Sequence, residues 1–355
     1  MVLTNAHEHL QSTKELPILL RAMDDIGIER VVLLGSSAFT ITSDYRLGFT
    51  KYDENNWEVI KAANTHHDRI EAWPTLNPVD VNNIDRLRSY HEMGASGLKL
   101  YLGHGFVSPD SRDYLFGPLA MDDPRMDGVY DYCTAHRLPV CLHVNPGPKT
   151  PGFADEFVAF LERNPRLQVN APHWILSTGR PERLAELLQV FPNLVTDISL
   201  GADEFLFAGL RRISRSAVRI RQVIERHPSR FMFGSDFVVT NCLRKTPDWM
   251  RVRAQAYLSM LGCAQYDSPL FPGEVLTGLA LPSSVLEQVG SKNYLRFRTL
   301  DRELIAPHGP VDWLRLGVRR SGRRSGERLP PQSASYAEAV RLVDVQPAGS
   351  EPRSL

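Results

Sequence analysis

Eight short apolar runs, separated by stretches of helical spacing, constrain this chain more than any other feature of its sequence. The first is the opening segment ending in "TNAHEHL" (Thr4 to Leu10). "RVVLLGSS" (Arg30 to Ser37), "RIEAWPTL" (Arg69 to Leu76), "ASGLKLYL" (Ala95 to Leu102) and "LPVCLHVN" (Leu138 to Asn145) follow. "LQVNAPHW" (Leu167 to Trp174), "NLVTDISL" (Asn193 to Leu200) and "RFMFGSDF" (Arg230 to Phe237) complete the set. Between them lie polar-faced segments such as "NIDRLRSYHEMG", whose Gly94 reads as a helix stop, and "PERLAELLQVFP". Strands alternating with helices predict a parallel sheet, and runs apolar on both faces predict a sheet covered on both sides. Eight such units over about 240 residues match a (β/α)8 TIM barrel, for which about 250 residues is typical. A doubly wound open sheet would want a glycine-rich phosphate loop after the first strand. Here "HEHLQST" stands there, and the first glycine is Gly27.

Beyond Phe237 the spacing predicts a last barrel helix, "TPDWMRVRAQAYLSML", and a helical closing segment, "SVLEQVGSKNYLRF". Residues 1–299 therefore read as one barrel domain. Residues 300–355, with "LGVRRSGRRSGERLPPQSAS", read as a partly irregular extension. Lys plus Arg and Asp plus Glu are equal at 41 each, so no net field favours nucleic acid or a membrane surface. No apolar run approaches the roughly 18 residues that span a bilayer, and no signal peptide is evident. The four cysteines (Cys133, Cys141, Cys242, Cys263) form no CxxC pair. They read as reduced thiols of a cytoplasmic protein.

In a TIM barrel the active site lies at the C-terminal ends of the strands. The polar residues that end these strands are His7 and His9 on the first, Lys99 on the fourth, His143 on the fifth, His173 on the sixth and Asp236 on the eighth. Residues two apart on a strand share a face, so both imidazoles of "HEH" leave the same side. Each residue has a bland reading: a core histidine, a packing pair with Trp174, a helix cap at Asp236. Lys99 is the least ordinary, because an ammonium is costly to bury unpaired on an apolar strand. As a set, imidazoles and carboxylate suit divalent metal ions, zinc by default, with iron or manganese also compatible. A neutral Lys99 amine that captured carbon dioxide would become a bridging carbamate between two ions. Asp236 would bind one ion and take a proton from the attacking water.

The stretches "HEH", "GLKL", "CLHV", "APHW" and "FGSDF", in that order, resemble the amidohydrolase superfamily and its amidohydrolase-related branch of metal-dependent hydrolases. The segment "LEQVGSKNYLRF" resembles that branch's closing helix, so the likeness covers about residues 1–299. It implies a (β/α)8 barrel with a hydrolytic metal centre. His7, His9 and Asp236 would hold the more buried ion, and His143 and His173 the more exposed one. A carboxylated Lys99 would bridge the two. The chain departs from the family at Asn5, where an aspartate is common. The branch also includes single-metal enzymes that break carbon–carbon bonds. In those the first-strand histidines, one later histidine and the last aspartate carry the ion, and Lys99 would instead hold a substrate anion.

The leading expectation is thus a metal-dependent hydrolase acting on an amide, ester, lactone or thioester carbonyl of a small molecule, with Asp236 and His173 in catalytic roles. The first alternative is a single-metal decarboxylase of an aromatic or unsaturated acid. The second is a catalytically silent binding barrel, possible as a homo-oligomer like the others. Tyr101, His104 and Trp174 are the expected substrate contacts, with Asn145 a weaker one. The loops after the second and fourth strands (Tyr45, Arg46, Phe49, Phe106, Arg112, Tyr114) either shape specificity or form a lid that packs on itself.

Overall fold

The computed structural model describes residues 2–102, 119–143 and 153–299. His104, Phe106, Arg112, Tyr114, Asn145 and the extension from residue 300 lie outside them. Eight parallel strands follow one another in chain order: β1 (Leu3–Glu8), β2 (Ile28–Leu34), β3 (Ile70–Trp73), β4 (Leu98–Tyr101), β5 (Val140–His143), β6 (Val169–Asn170), β7 (Leu194–Asp197) and β8 (Phe231–Met232). Their ladders form a three-stranded sheet, β1-β2-β3, and a five-stranded sheet, β4-β5-β6-β7-β8. The ladder is not one closed ring, but backbone hydrogen bonds cross both seams. At one, the Lys99 N–H donates to Pro74 O at 2.8 Å and the Ser96 N–H to Ala72 O at 3.0 Å. At the other, the Ala6 N–H donates to Phe233 O and the Val239 N–H to His9 O, at 2.9 and 2.8 Å.

Helices cover the outside, and their ends follow local chemistry. Helix Leu16–Ile26 starts with proline in its first turn and stops at Gly27, whose φ of 84° suits only a residue without Cβ. Helix Asn83–Glu92 is followed by Gly94 at φ 103°, the expected stop. The helix Pro247–Gly262 begins where the Thr246 hydroxyl accepts from the Trp249 N–H. The arginine-rich stretch before β8 is two helices, Asp203–Arg215 and Ala217–Arg226, broken at Ser216.

The strands are apolar on both faces because each face meets a different core. On β2, Val31 and Leu33 belong to the outer layer beneath the helices, while Val32 and Leu34 belong to the barrel interior. That interior is filled by Ala6, Trp73, Cys141, Val195 and Met232, and by Tyr294 and Phe297. The last two come from the helix Asn293–Thr299 of the closing segment. Arg298 fastens this helix, donating to Ser96 O at 2.6 Å and pairing with Glu71 at 3.0 Å. Phe233, just past β8, donates its N–H to Val289 O in the π turn Gln288–Lys292.

Two strands are shorter than their apolar runs predict. β6 stops at Asn170, two residues before Pro172, which has no N–H to offer a ladder. His173, Trp174, Ile175 and Leu176 then form a left-handed turn, with φ between 48° and 60°. β8 stops at Met232, and the next residues bond to β1 instead: the Ser235 and Asp236 N–H groups both reach His7 O, at 3.2 and 2.9 Å.

A candidate metal centre at the C-terminal ends of the strands

His7 and His9 leave β1 on the same side, and their Nε2 atoms stand 3.2 Å apart. Asp236 faces both from the segment after β8. Its Oδ1 lies 3.6 Å from His7 Nε2 and 3.4 Å from His9 Nε2. His173 closes the group from the far side, with Nε2 3.9 Å from Asp236 Oδ2. His7, His9 and Asp236 form one close group of metal-capable atoms, and His7, His173 and Asp197 form a second that shares His7. The backbone of Asp236 is left-handed, at φ 54°, and is held there by the N–H bond to His7 O.

Each imidazole is oriented by a bond from its other nitrogen. His9 Nδ1 lies 3.0 Å from Leu34 O and 2.6 Å from Ser36 Oγ. His7 Nδ1 lies 3.0 Å from Asp197 Oδ2, and His173 Nδ1 lies 2.8 Å from Ser199 Oγ. A carbonyl can only accept, so His9 carries its proton on Nδ1 and offers a lone pair at Nε2. Burial drives the charge off the His9 and His173 rings, taking the His9 pKa down to about 3 and that of His173 to about 4. Neutral imidazoles beside an ionised carboxylate are the protonation states that a divalent cation requires. Burial works against the Asp236 charge, but His7, His9, His173 and Lys99 outweigh it and hold the carboxyl below its ordinary range. These residues fit a metal ion.

Lys99 is fully buried, as its position on an apolar strand implied. Its Nζ donates to Cys141 Sγ at 3.4 Å, directly across the β4–β5 pair, and lies 4.8 Å from the centre of the Tyr101 ring. Burial disfavours the ammonium, while Cys141, Tyr101, Asp236 and Asp197 outweigh that loss and keep its pKa above the ordinary lysine value. His143 is half-buried, its ring 5.1 Å from that of His173 and 5.7 Å from that of Tyr101. Phe49, from the loop after β2, packs its ring 5.7 Å from the other side of Tyr101. Arg46 of the same loop pairs with Asp44. Trp174, expected at the substrate, is instead fully buried in the outer core, where its indole N–H donates to Ile198 O at 3.0 Å. The left-handed turn after His173 swings it inward.

Two supporting residues, Asp197 and Glu8, escaped the sequence reading, and Asn5 was legible there only as a departure. Asp197 ends β7 as the others end theirs, so the same end-of-strand rule points to it. Glu8, between the two histidines, faces away from them and is buried. Its carboxylate accepts from the His9 N–H at 2.9 Å, the Val238 N–H at 2.8 Å and the Ser235 hydroxyl at 2.6 Å, tying β1 to the segment that carries Asp236. Asn5 bridges the same two segments. Its amide donates to Ser235 Oγ at 2.6 Å and accepts from the His7 and Ser235 N–H groups. An ionised aspartate there would lack the donor and would face Glu8, which explains the departure from the family's pattern.

A family profile described as amidohydrolase matches residues 20–293. The match begins after β1, so His7 and His9 lie outside it, while Lys99, His143, His173, Asp197 and Asp236 lie within. No curated protein matches the chain. Among solved structures, a probable 2-pyrone-4,6-dicarboxylic acid hydrolase from Acinetobacter baumannii aligns with a TM-score of 0.56 at 12% identity, covering 84% of this chain and 99% of that one. A 2,6-dihydroxybenzoate decarboxylase, in complex with 2,6-dihydroxybenzoate, aligns at 0.52 and 16%, covering 84% and 98%. A 5-carboxyvanillate decarboxylase from Sphingomonas paucimobilis aligns at 0.50 and 14%, covering 84% and 99%. At these identities the likeness speaks for the α/β barrel fold. No helix among the described residues is long and apolar enough to cross a membrane. With the profile spanning most of the chain, this protein belongs to the amidohydrolase family.

Proposed function

We propose that this chain is a metal-dependent hydrolase of small molecules, built around one divalent ion held by His7, His9, His173 and Asp236. The observation that carries the reading is the convergence of three Nε2 atoms on the Asp236 carboxylate, at 3.4 to 3.9 Å. This ligand set differs from the expected two-ion arrangement. His173 reaches Asp236 from the second close group, through His7, His143 stands beside His173 in neither group, and Lys99 is turned to Cys141. A divalent ion in such a site polarises a substrate carbonyl and makes water a nucleophile near neutral pH. Asp236 would then accept the proton of the attacking water at its carboxylate. Tyr101 and His143 form the neighbouring wall, next to His173, with Lys99 buried behind Tyr101; the aromatic faces would meet an unsaturated substrate and the ammonium would add positive potential for an anionic one.

That wall favours one second reading, decarboxylation of an unsaturated ring acid at the same ion. The hydrolase and the first decarboxylase above are named for 2-pyrone-4,6-dicarboxylic acid and 2,6-dihydroxybenzoate, both carboxylated unsaturated rings. The deciding experiment starts with metal content in protein purified without chelator, for the wild type, His9→Ala and Lys99→Ala. We expect about one ion per chain in the wild type and in Lys99→Ala, and a loss of at least about tenfold in affinity for His9→Ala. Two ions falling to one in Lys99→Ala would restore the lysine-bridged centre. No ion even after reconstitution would remove both enzyme readings and leave a binding barrel. A panel of lactones, esters and ring carboxylic acids, followed by acid release and by carbon dioxide release, separates hydrolysis from decarboxylation.

A further inference from the structure

We infer that Asp197 is a positioning residue that sets the tautomers of two of the histidines, one with each carboxylate oxygen, and so turns both Nε2 lone pairs toward Asp236. The inference rests on the metal-site reading for its purpose, but the proton positions it assigns belong to the metal-free protein.

The assignment follows from counting donors. Asp197 sits at the end of β7, fully buried. Its Oδ1 accepts from the backbone N–H groups of His173 at 3.3 Å and Ser199 at 3.1 Å, and makes a short bond with the Ser199 hydroxyl. A carboxylate oxygen that already accepts two N–H bonds takes the hydroxyl proton as well. Ser199 Oγ has only that one proton, so toward His173 Nδ1, 2.8 Å away, and the more distant His7 Nδ1, at 3.4 Å, it accepts. His173 therefore carries its proton on Nδ1. The second oxygen, Oδ2, faces His7 Nδ1 at 3.0 Å and the Asn170 amide nitrogen at 2.9 Å. Both must donate to it, so His7 also carries its proton on Nδ1.

These five donors leave Asp197 no free lone pair aimed at an ion. That separates it from Asp236 even though His7, His173 and Asp197 lie close enough together to suggest a ligand group of their own. A carboxylate that orients ligating histidines from behind is a common second layer of metal sites. Here one such group serves two rings.

Asp197→Asn tests this asymmetrically. The two backbone N–H groups and the Ser199 hydroxyl require a carbonyl at the Oδ1 position, so the new amide nitrogen must face His7 Nδ1. Asn170 accommodates the change by turning its amide, because its Oδ1 has no partner among the described residues. His7 then has a donor where it had an acceptor. Its proton moves to Nε2 and the lone pair is lost to the ion. His173 keeps its tautomer through Ser199.

The experiment is nitrogen NMR of ring-labelled histidine in the metal-free full chain, which distinguishes the two tautomers of each ring. The wild type should show His7 and His173 protonated at Nδ1. Asp197→Asn should move only His7, and Ser199→Ala should release only His173, because His7 loses just its 3.4 Å contact to Ser199 and keeps the 3.0 Å bond to Asp197; the second variant keeps the question answerable if the first does not fold. Zinc affinity, read by competition with a chromogenic chelator, should fall about 10- to 100-fold in Asp197→Asn. An unchanged His7 tautomer in Asp197→Asn, or both rings shifting together in either variant, overturns the assignment. Loss of zinc with the His7 tautomer intact makes Asp197 a ligand and overturns it too. The predicted tautomer shifts in a protein that takes up no metal would uphold the assignment while sinking the metal-site reading.

Discussion

At the scale of single residues, the site stores an acid sensitivity that its geometry makes predictable. His9 and His173 bind their protons only near pH 3 and pH 4 when folded, because burial penalises the imidazolium. In the unfolded chain they bind them near the ordinary value of about 6.5. Between those limits the unfolded state holds more protons, so stability is complete above about pH 6.5 and falls as pH falls. The slope is up to about 1.4 kcal/mol per pH unit for each ring. Urea denaturation of metal-stripped protein from about pH 7 down to about pH 5 should show this loss, and a flat profile would mean that the rings are not buried neutral. The same residues show how far sequence reasoning reaches. That His7, His9, His173 and Asp236 would lie near one another was legible, because polar strand ends in a parallel barrel share one rim. Asn5 and Glu8 were not, because their roles depend on Ser235, some 230 residues away.

At the scale of elements, two positions hold the site's scaffolding tight. Gly234 links β8 to the Asp236 segment, and a Cβ there would stand 3.0 Å from His7 Cβ and 3.1 Å from Asp197 Cβ and Cγ. Both neighbours are anchored by backbone ladders and have little room to shift. Gly234→Ala should therefore cost about 1–3 kcal/mol, measurable by denaturation, and weaken metal uptake more than a comparable change far from the site. At the other end of the barrel, Phe297 and Tyr294 fill the interior against Trp73 and Met232. Phe297→Ala should destabilise the fold by about 3–5 kcal/mol while leaving metal stoichiometry unchanged, since the ring packs on Trp73 and not on a proposed ligand. The closing helix was legible in the sequence, as was the stop at Gly94. The left-handed turn at His173–Leu176 was not: nothing in "HWIL" prefers positive φ, and burial of Trp174 and Ile175 imposes it. That turn is why an aromatic residue next to a site histidine packs in the core rather than against a ligand.

At the scale of the whole molecule, the eightfold alternation carried the architecture, and both faces of each strand confirm why the runs were continuously apolar. What the alternation did not carry is where the ring is joined. One of the two seams falls between β1 and the segment after β8, the first and last strands in the chain. His7 and His9 lie on one side of that seam and Asp236 on the other. The join therefore links the most sequence-distant parts of the barrel, and such contacts are the slowest to form. A cation shared across it, as proposed above, would act on the lifetime of the folded state more than on its formation. Adding zinc to the metal-free protein should slow unfolding severalfold and leave the refolding rate nearly unchanged, as seen in stopped-flow denaturant jumps. Accelerated refolding would instead mean that the join forms early. On this view an ion would serve as a clasp on the finished barrel, closed after the chain's two ends have met, and not as a template for building it.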